Sequence, residues 1–129
     1  MVMFDTNMIL RYLLKDNEEM KEKAKSYLIA GNVTVTLEVV AEVVYVLRKV
    51  YSMERQIVSA MVKNFAELVN CAESDVLLLA VDTYSARNID FVDCILYAYH
   101  KIHGFEIATF DKKLLRLING DGDGDDEQT

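Results

Sequence analysis

Met1-Val2-Met3-Phe4-Asp5-Thr6-Asn7 opens the chain, and its reading decides the fold. Four apolar residues run straight into an acid, and a helix-period pattern then begins with Met8, Ile9, Tyr12 and Leu13. A short apolar run of this kind predicts a buried strand of a parallel sheet. Asp5 therefore stands where a strand stops and a helix starts, the edge of an open α/β sheet where ligands bind. A carboxylate there is a metal ligand, a nucleophile, or an ordinary turn residue or helix cap. The choice depends on whether other acids converge on the same place.

Working outward, Met8 to Lys15 reads as a short helix with Asp16-Asn17 as its turn. Glu18 to Ala30 is an amphipathic helix closing at Gly31-Asn32. Val33-Thr34-Val35 is β-rich, and Thr36 suits the N-cap of a long helix from Leu37 to Tyr51. Ser52 is expected to cap the next helix, Met53 to about Leu68, and Leu68 to Glu73 reads as a strand. Val76 to Val81 would pass for a buried strand, but continuation to Tyr84 and Arg87 favours a helix over Asp75 to Asn88. A helix capped by Asp90 should end at Gly104, and Glu106 to Phe110 should form a strand running into Asp111 and a last helix, Lys112 to Ile118. Strands separated by helices predict a parallel sheet covered on both faces.

Several acids recur at informative places. Asp111 repeats the setting of Asp5, an acid at the carboxyl end of an expected strand. Glu42 falls on the side of its helix shared by Val39, Val43, Val46 and Val50, and an acid facing a core needs a partner or a metal. Asp90 and Asp93 form D-x-x-D at a helix start, where a cap and the helix dipole account for both. Glu38 has the same dipole explanation; His100 and His103, three apart on one helix, have a spacing a metal could use, but with no third soft ligand evident they read as polar residues at a helix end. The Asp121 to Asp126 run imitates the first part of a calcium loop but has Asp126 where that loop needs its turn glycine.

Length and composition bound the answer. One domain is expected from 129 residues, spanning about 1–118, with an acidic tail over 119–129 that has no means of forming a core. The apolar content of 52% and charged content of 27% describe a globular chain, and no apolar run approaches the ~20 residues of a membrane span. No small-residue cleavage site follows the first apolar run, so a cytoplasmic location is expected. Cys71 and Cys94 are too few for a disulfide framework and are expected to be reduced and interior. The formal charge of −7 argues against nucleic acid at first sight. Setting aside the five acids after Gly120 leaves the body at −2, and a metal-neutralised acidic cluster is compatible with RNA.

Asp5 with Thr6 and Asn7, Glu42 in A-E-V-V-Y-V-L, Asp93 in D-F-V-D-C-I-L and Asp111 in T-F-D-K together resemble the PIN-domain nucleases, more specifically the VapC-type toxins of prokaryotic toxin–antitoxin pairs. The resemblance covers Val2 to about Leu117. It implies a three-layer α/β/α sandwich with a four- or five-stranded, mainly parallel sheet. It also implies a metal-dependent endoribonuclease in which Asp5, Glu42, Asp93 and Asp111 hold one or two Mg²⁺ or Mn²⁺ ions, supported by Asn7 and Thr109. Hard oxygen ligands suit those ions, which lower the pKa of bound water and neutralise a transferring phosphoryl group. Arg11, Arg48 and Lys112 are candidates for holding the RNA backbone, beside Lys49, Arg87 and Lys113. A homodimer and a VapB-like antitoxin are the partners this resemblance implies. The departure from the family is at the end, where Asn119-Gly120 and the acidic run replace a final strand.

Two other classes compete. A haloacid-dehalogenase-type phosphatase also places an Asp after its first strand, but its required second acid would fall at Asn7. A receiver domain lacks its acidic pair here. A catalytically silent PIN-like module binding RNA or protein is the non-enzymatic alternative.

Overall fold

Val2–Met3 (β1) is two residues long because Asp5 diverts the chain: its side chain accepts from the Met8 amide at 2.8 Å and starts α1, Thr6–Leu13. The helix thus begins two residues earlier than its apolar period indicates. The computed structural model describes residues 1–120, and the expected acidic tail lies beyond them except for Asn119 and Gly120. Two compact units are present, Met1–Ser74 and a second beginning at Asp75.

In the first unit Asn17 caps α2 (Glu18–Ala30) through the Met20 amide at 2.9 Å, and Gly31, at φ 84°, closes it. Val33–Thr34 (β2) pairs in parallel with β1, Val2 opposite Val33 and Met3 opposite Thr34. The strand expected over Leu68–Glu73 is reduced to one parallel bridge, Thr34 to Asn70. It is held by Val35 N–H to Asn70 O at 2.9 Å and Asn70 N–H to Val33 O at 2.8 Å. The four- or five-stranded sheet is therefore not formed among the described residues. This is an α/β chain with a short parallel sheet and mostly helical mass.

Thr36 caps α3 (Leu37–Tyr45), accepting from the Val39 amide at 3.3 Å. The rod then widens into a π-helical segment, Val46–Val50, marked by Tyr51 N–H to Val46 O at 3.2 Å. Ser52 ends it rather than capping the next helix: it sits at φ 55° while Met53 N–H reaches back to Leu47 O at 3.1 Å. The next helix, α4, consequently starts late, at Arg55–Ala66. Helix α1 packs on α2 and α3, and α3 on α4. Phe4, Ile9, Val33, Val43, Leu47 and Val58 are the largest fully buried side chains described in this unit. Phe4 meets the Tyr27 ring edge-on, with centroids 6.1 Å apart.

The second unit holds α5 (Ser74–Ala86), α6 (Phe91–His103) and α7 (Lys112–Ile118), with α6 packed on α7. The Val76 to Val81 run is helical, as its continuation to Tyr84 indicates. The strand expected at Glu106–Phe110 is not formed, and Phe105 and Phe110 are exposed. An apolar run becomes a strand only where a neighbour supplies the ladder hydrogen bonds, and none reaches it among the described residues. Cys94 is buried but Cys71 is only half-buried, and both are free. No described helix is long and apolar enough to cross a membrane.

Gly104 closes α6 in the left-handed region, at φ 74° and ψ 16°, with its amide on His100 O at 3.0 Å. A Cβ built there would meet nothing within 4 Å, so the cost of a side chain is backbone strain alone. Gly104→Ala is expected to lower stability by about 1–2 kcal/mol, read as a lower denaturant midpoint at unchanged slope. An unchanged midpoint would remove the left-handed cap from this account.

Candidate functional site

Each unit presents its own group of acids, with Asp5 and Asp111 at helix starts. In the first, Asp5 is the N-cap of α1 and is exposed; one carboxylate oxygen is bound by the Met8 amide, and the other has no hydrogen bond among the described residues. Thr6 follows, and its hydroxyl donates to Glu42 Oε1 at 2.6 Å. That bond ties the start of α1 to the middle of α3 and brings Glu42 next to the residue that follows Asp5.

Glu42 does not face the core. It is exposed, and the buried positions of α3 are Leu37, Val40, Val43 and Val44, followed by Leu47. The stripe of Val39, Val43, Val46 and Val50 is displaced from this; Val39 and Val46 are half-buried and Val50 is exposed. This helix carries apolar residues nearly all round, so its period alone does not select a buried face; packing against α1 and α4 does. Glu42 is thereby open to an ion or a substrate, not shut inside.

In the second unit Asp111 caps α7, accepting from the Leu114 amide at 3.0 Å, while its own amide donates to Thr109 Oγ1 at 3.0 Å. Thr109 therefore supports the turn at Asp111. Asp90 occupies the N-cap position of α6 but makes no side-chain cap bond, so its carboxylate is not spent on the helix as expected. Asp93, one turn in, is half-buried, and its pKa is raised from the ordinary aspartate value. Burial is the largest cause, and the charges of Asp111 and then Asp90 add to it. Asp90, Asp93 and Asp111 thus form one electrostatic group.

Thr6 and Asp90 gain significance that spacing did not reveal. The available signals were slight: a hydroxyl beside a strand-end acid, and an acid three residues before another. Asn7 is exposed and has no partner among the described residues. His100 and His103 are helix-end residues: Nδ1 of His100 lies 2.8 Å from Phe105 O and must carry the proton, since a carbonyl only accepts.

The bases divide by partner. Arg11 lies 2.8 Å from both oxygens of Asp16, and a bond to Tyr51 with the Asp16 charge holds its pKa up. Its charge is answered inside the first unit. Arg48 reaches only a carbonyl, Met53 O at 3.3 Å, and Lys112 is exposed and makes no ion pair among the described residues. Lys113 donates to Asn88 O at 3.2 Å.

A family model for the PIN domain matches residues 2–119. The chain belongs to the PIN domain family. PIN domains are usually nucleases and generally use divalent metals. Comparison with curated proteins and with solved structures yields no match. The donor chemistry of this PIN domain fits a hard cation: all the grouped acids are carboxylates, and Asp93 is unfavourably charged without a positive neighbour.

Proposed function

We propose that this PIN domain is a metal-dependent endoribonuclease, a VapC-like toxin, whose ligands for Mg²⁺ or Mn²⁺ are Asp5 and Glu42 of the first unit and Asp93 and Asp111 of the second. The observation that carries the reading is the match of residues 2–119 to the PIN domain family, and the grouping of Asp93 with Asp111 and Asp90 supports it. Acids that oppose one another's charge are costly to keep unless a cation or a reaction makes use of them. When bound, a divalent ion supplies a water deprotonated at neutral pH and relieves charge on the transferring phosphoryl group.

The chain's own residues then have separate tasks. Thr6 fixes the Glu42 carboxylate by donating to one oxygen, leaving the other for the ion. The Met8 and Leu114 amides fix Asp5 and Asp111 in the same way. Thr109 steadies Asp111, and the exposed Asn7 side chain, without a partner among the described residues, is available to support the site. Arg48 and Lys112 hold the substrate backbone outside the acids. Arg11 keeps its structural role with Asp16. A homodimer and a VapB-like antitoxin are its proposed partners.

The test is cleavage of a pool of structured RNAs with Mn²⁺ and with EDTA, beside an Asp5→Asn variant. Metal-dependent cutting that the variant lacks is expected. Binding without cutting would leave a silent module, and activity on a small phosphoester would indicate a phosphatase. Thr6→Val should slow cutting by about tenfold, the worth of one hydrogen bond to a charged group, with little effect on melting. Unchanged cutting would show that Glu42 needs no such tether.

A further inference from the structure

We propose that Tyr45 is a stacking platform for a base of single-stranded RNA, with Lys49 holding a neighbouring phosphate; the substrate class rests on the nuclease reading above. Tyr45 ends α3, three residues beyond Glu42, a rise of about 4.5 Å along the axis. Its ring is 62% exposed, with no ring contact or hydroxyl hydrogen bond among the described residues. The rod changes from α to π hydrogen bonding immediately after Tyr45, and that widened turn carries Arg48 and exposed Lys49. Such π-turns are rare and are frequently found at functional sites.

Charge changes sign along the same rod. Glu38 and Glu42 are exposed toward its start, Arg48 and Lys49 lie at its end, and Tyr45 stands between them. A polyanion whose scissile phosphate lies at Glu42 is repelled by the acids and attracted beyond Tyr45. A base adjacent to that phosphate then falls at the aromatic ring. Stacking is open to every base, but only where the base is not already stacked in a duplex. The occupant is accordingly a single strand, held by ring and phosphate rather than read for its sequence.

The experiment uses the full chain in EDTA, where nothing is cut, and a mixed-sequence oligoribonucleotide of about ten nucleotides carrying 2-aminopurine. Binding should quench the 2-aminopurine fluorescence. Tyr45→Phe should keep the quench, whereas Tyr45→Ala and Tyr45→Leu should lose it and weaken binding about tenfold, all three melting as the parent does. A duplex of the same sequence should compete poorly. Retained quench and affinity in the Ala and Leu variants would overturn the proposal. So would a change of oligomeric state in Tyr45→Ala, which would make the ring a protein contact. The outcomes are separable from those of the nuclease reading: Tyr45-dependent binding without metal-dependent cutting sinks only that reading, and cutting with an unchanged KM in Tyr45→Ala sinks only this one.

Discussion

Asp5→Asn is expected to cut metal-dependent RNA cleavage by about a hundredfold or more while leaving the melting temperature close to the parent's. The separation follows from what the two carboxylate oxygens do. One accepts from the Met8 amide and caps α1, a task an Asn side-chain oxygen performs equally well. What Asn lacks is the negative charge and the second anionic oxygen that a divalent cation needs. Asp5→Ala removes both and should also cost about 1 kcal/mol of stability, a melting point lower by a few degrees. Asp111, capping α7 through Leu114, should show the same split between Asn and Ala. If Asp5→Asn and Asp111→Asn melted normally and cleaved as the parent does, both acids would be caps and nothing more.

Asp93→Asn should also abolish cleavage, yet in EDTA at neutral pH it should melt above the parent. The pKa of Asp93 is raised in the fold by burial and by the charges of Asp111 and Asp90. A raised value means that the folded state favours the protonated acid. That contribution is fully present below the unfolded carboxyl value of about 3.9 and is lost as pH rises through the raised folded value. The parent therefore loses stability relative to Asp93→Asn across this window, and the two should converge at acid pH. Mn²⁺ should reverse the order at neutral pH, because a cation binding only the folded state stabilises the protein that holds it. Melting curves of both proteins across pH, with EDTA and with Mn²⁺, measure this. A difference between them that did not vary with pH would sink the electrostatic account, and equal stabilisation of both by Mn²⁺ would remove Asp93 from the ligands.

Asp5 and Asp111 were legible because an acid between an apolar run and a helix period has a local signature, and both prove to be N-caps. Glu42 was legible only as a residue of interest. Its expected inward orientation fails, since Leu37-Glu38-Val39-Val40-Ala41-Glu42-Val43-Val44 offers several nearly equivalent apolar faces. The Thr6 bond to Glu42 spans thirty-six positions and leaves no periodic trace. The strands were legible as apolar runs but not as ladders. Leu68–Glu73 keeps a single bridge and Glu106–Phe110 has none, because pairing depends on a distant segment arriving in register.

By itself the sequence determined the helix ends that carry a local cap: Asn17, Thr36, Gly31 and Gly104 act on backbone groups within a few residues of themselves. Tertiary structure decided which face of α3 is buried, how short the parallel sheet is, and that Asp93 is held beside Asp111 and Asp90. Those outcomes depend on contacts between segments far apart in the chain. Burial and electrostatic repulsion act through space and take no account of sequence separation.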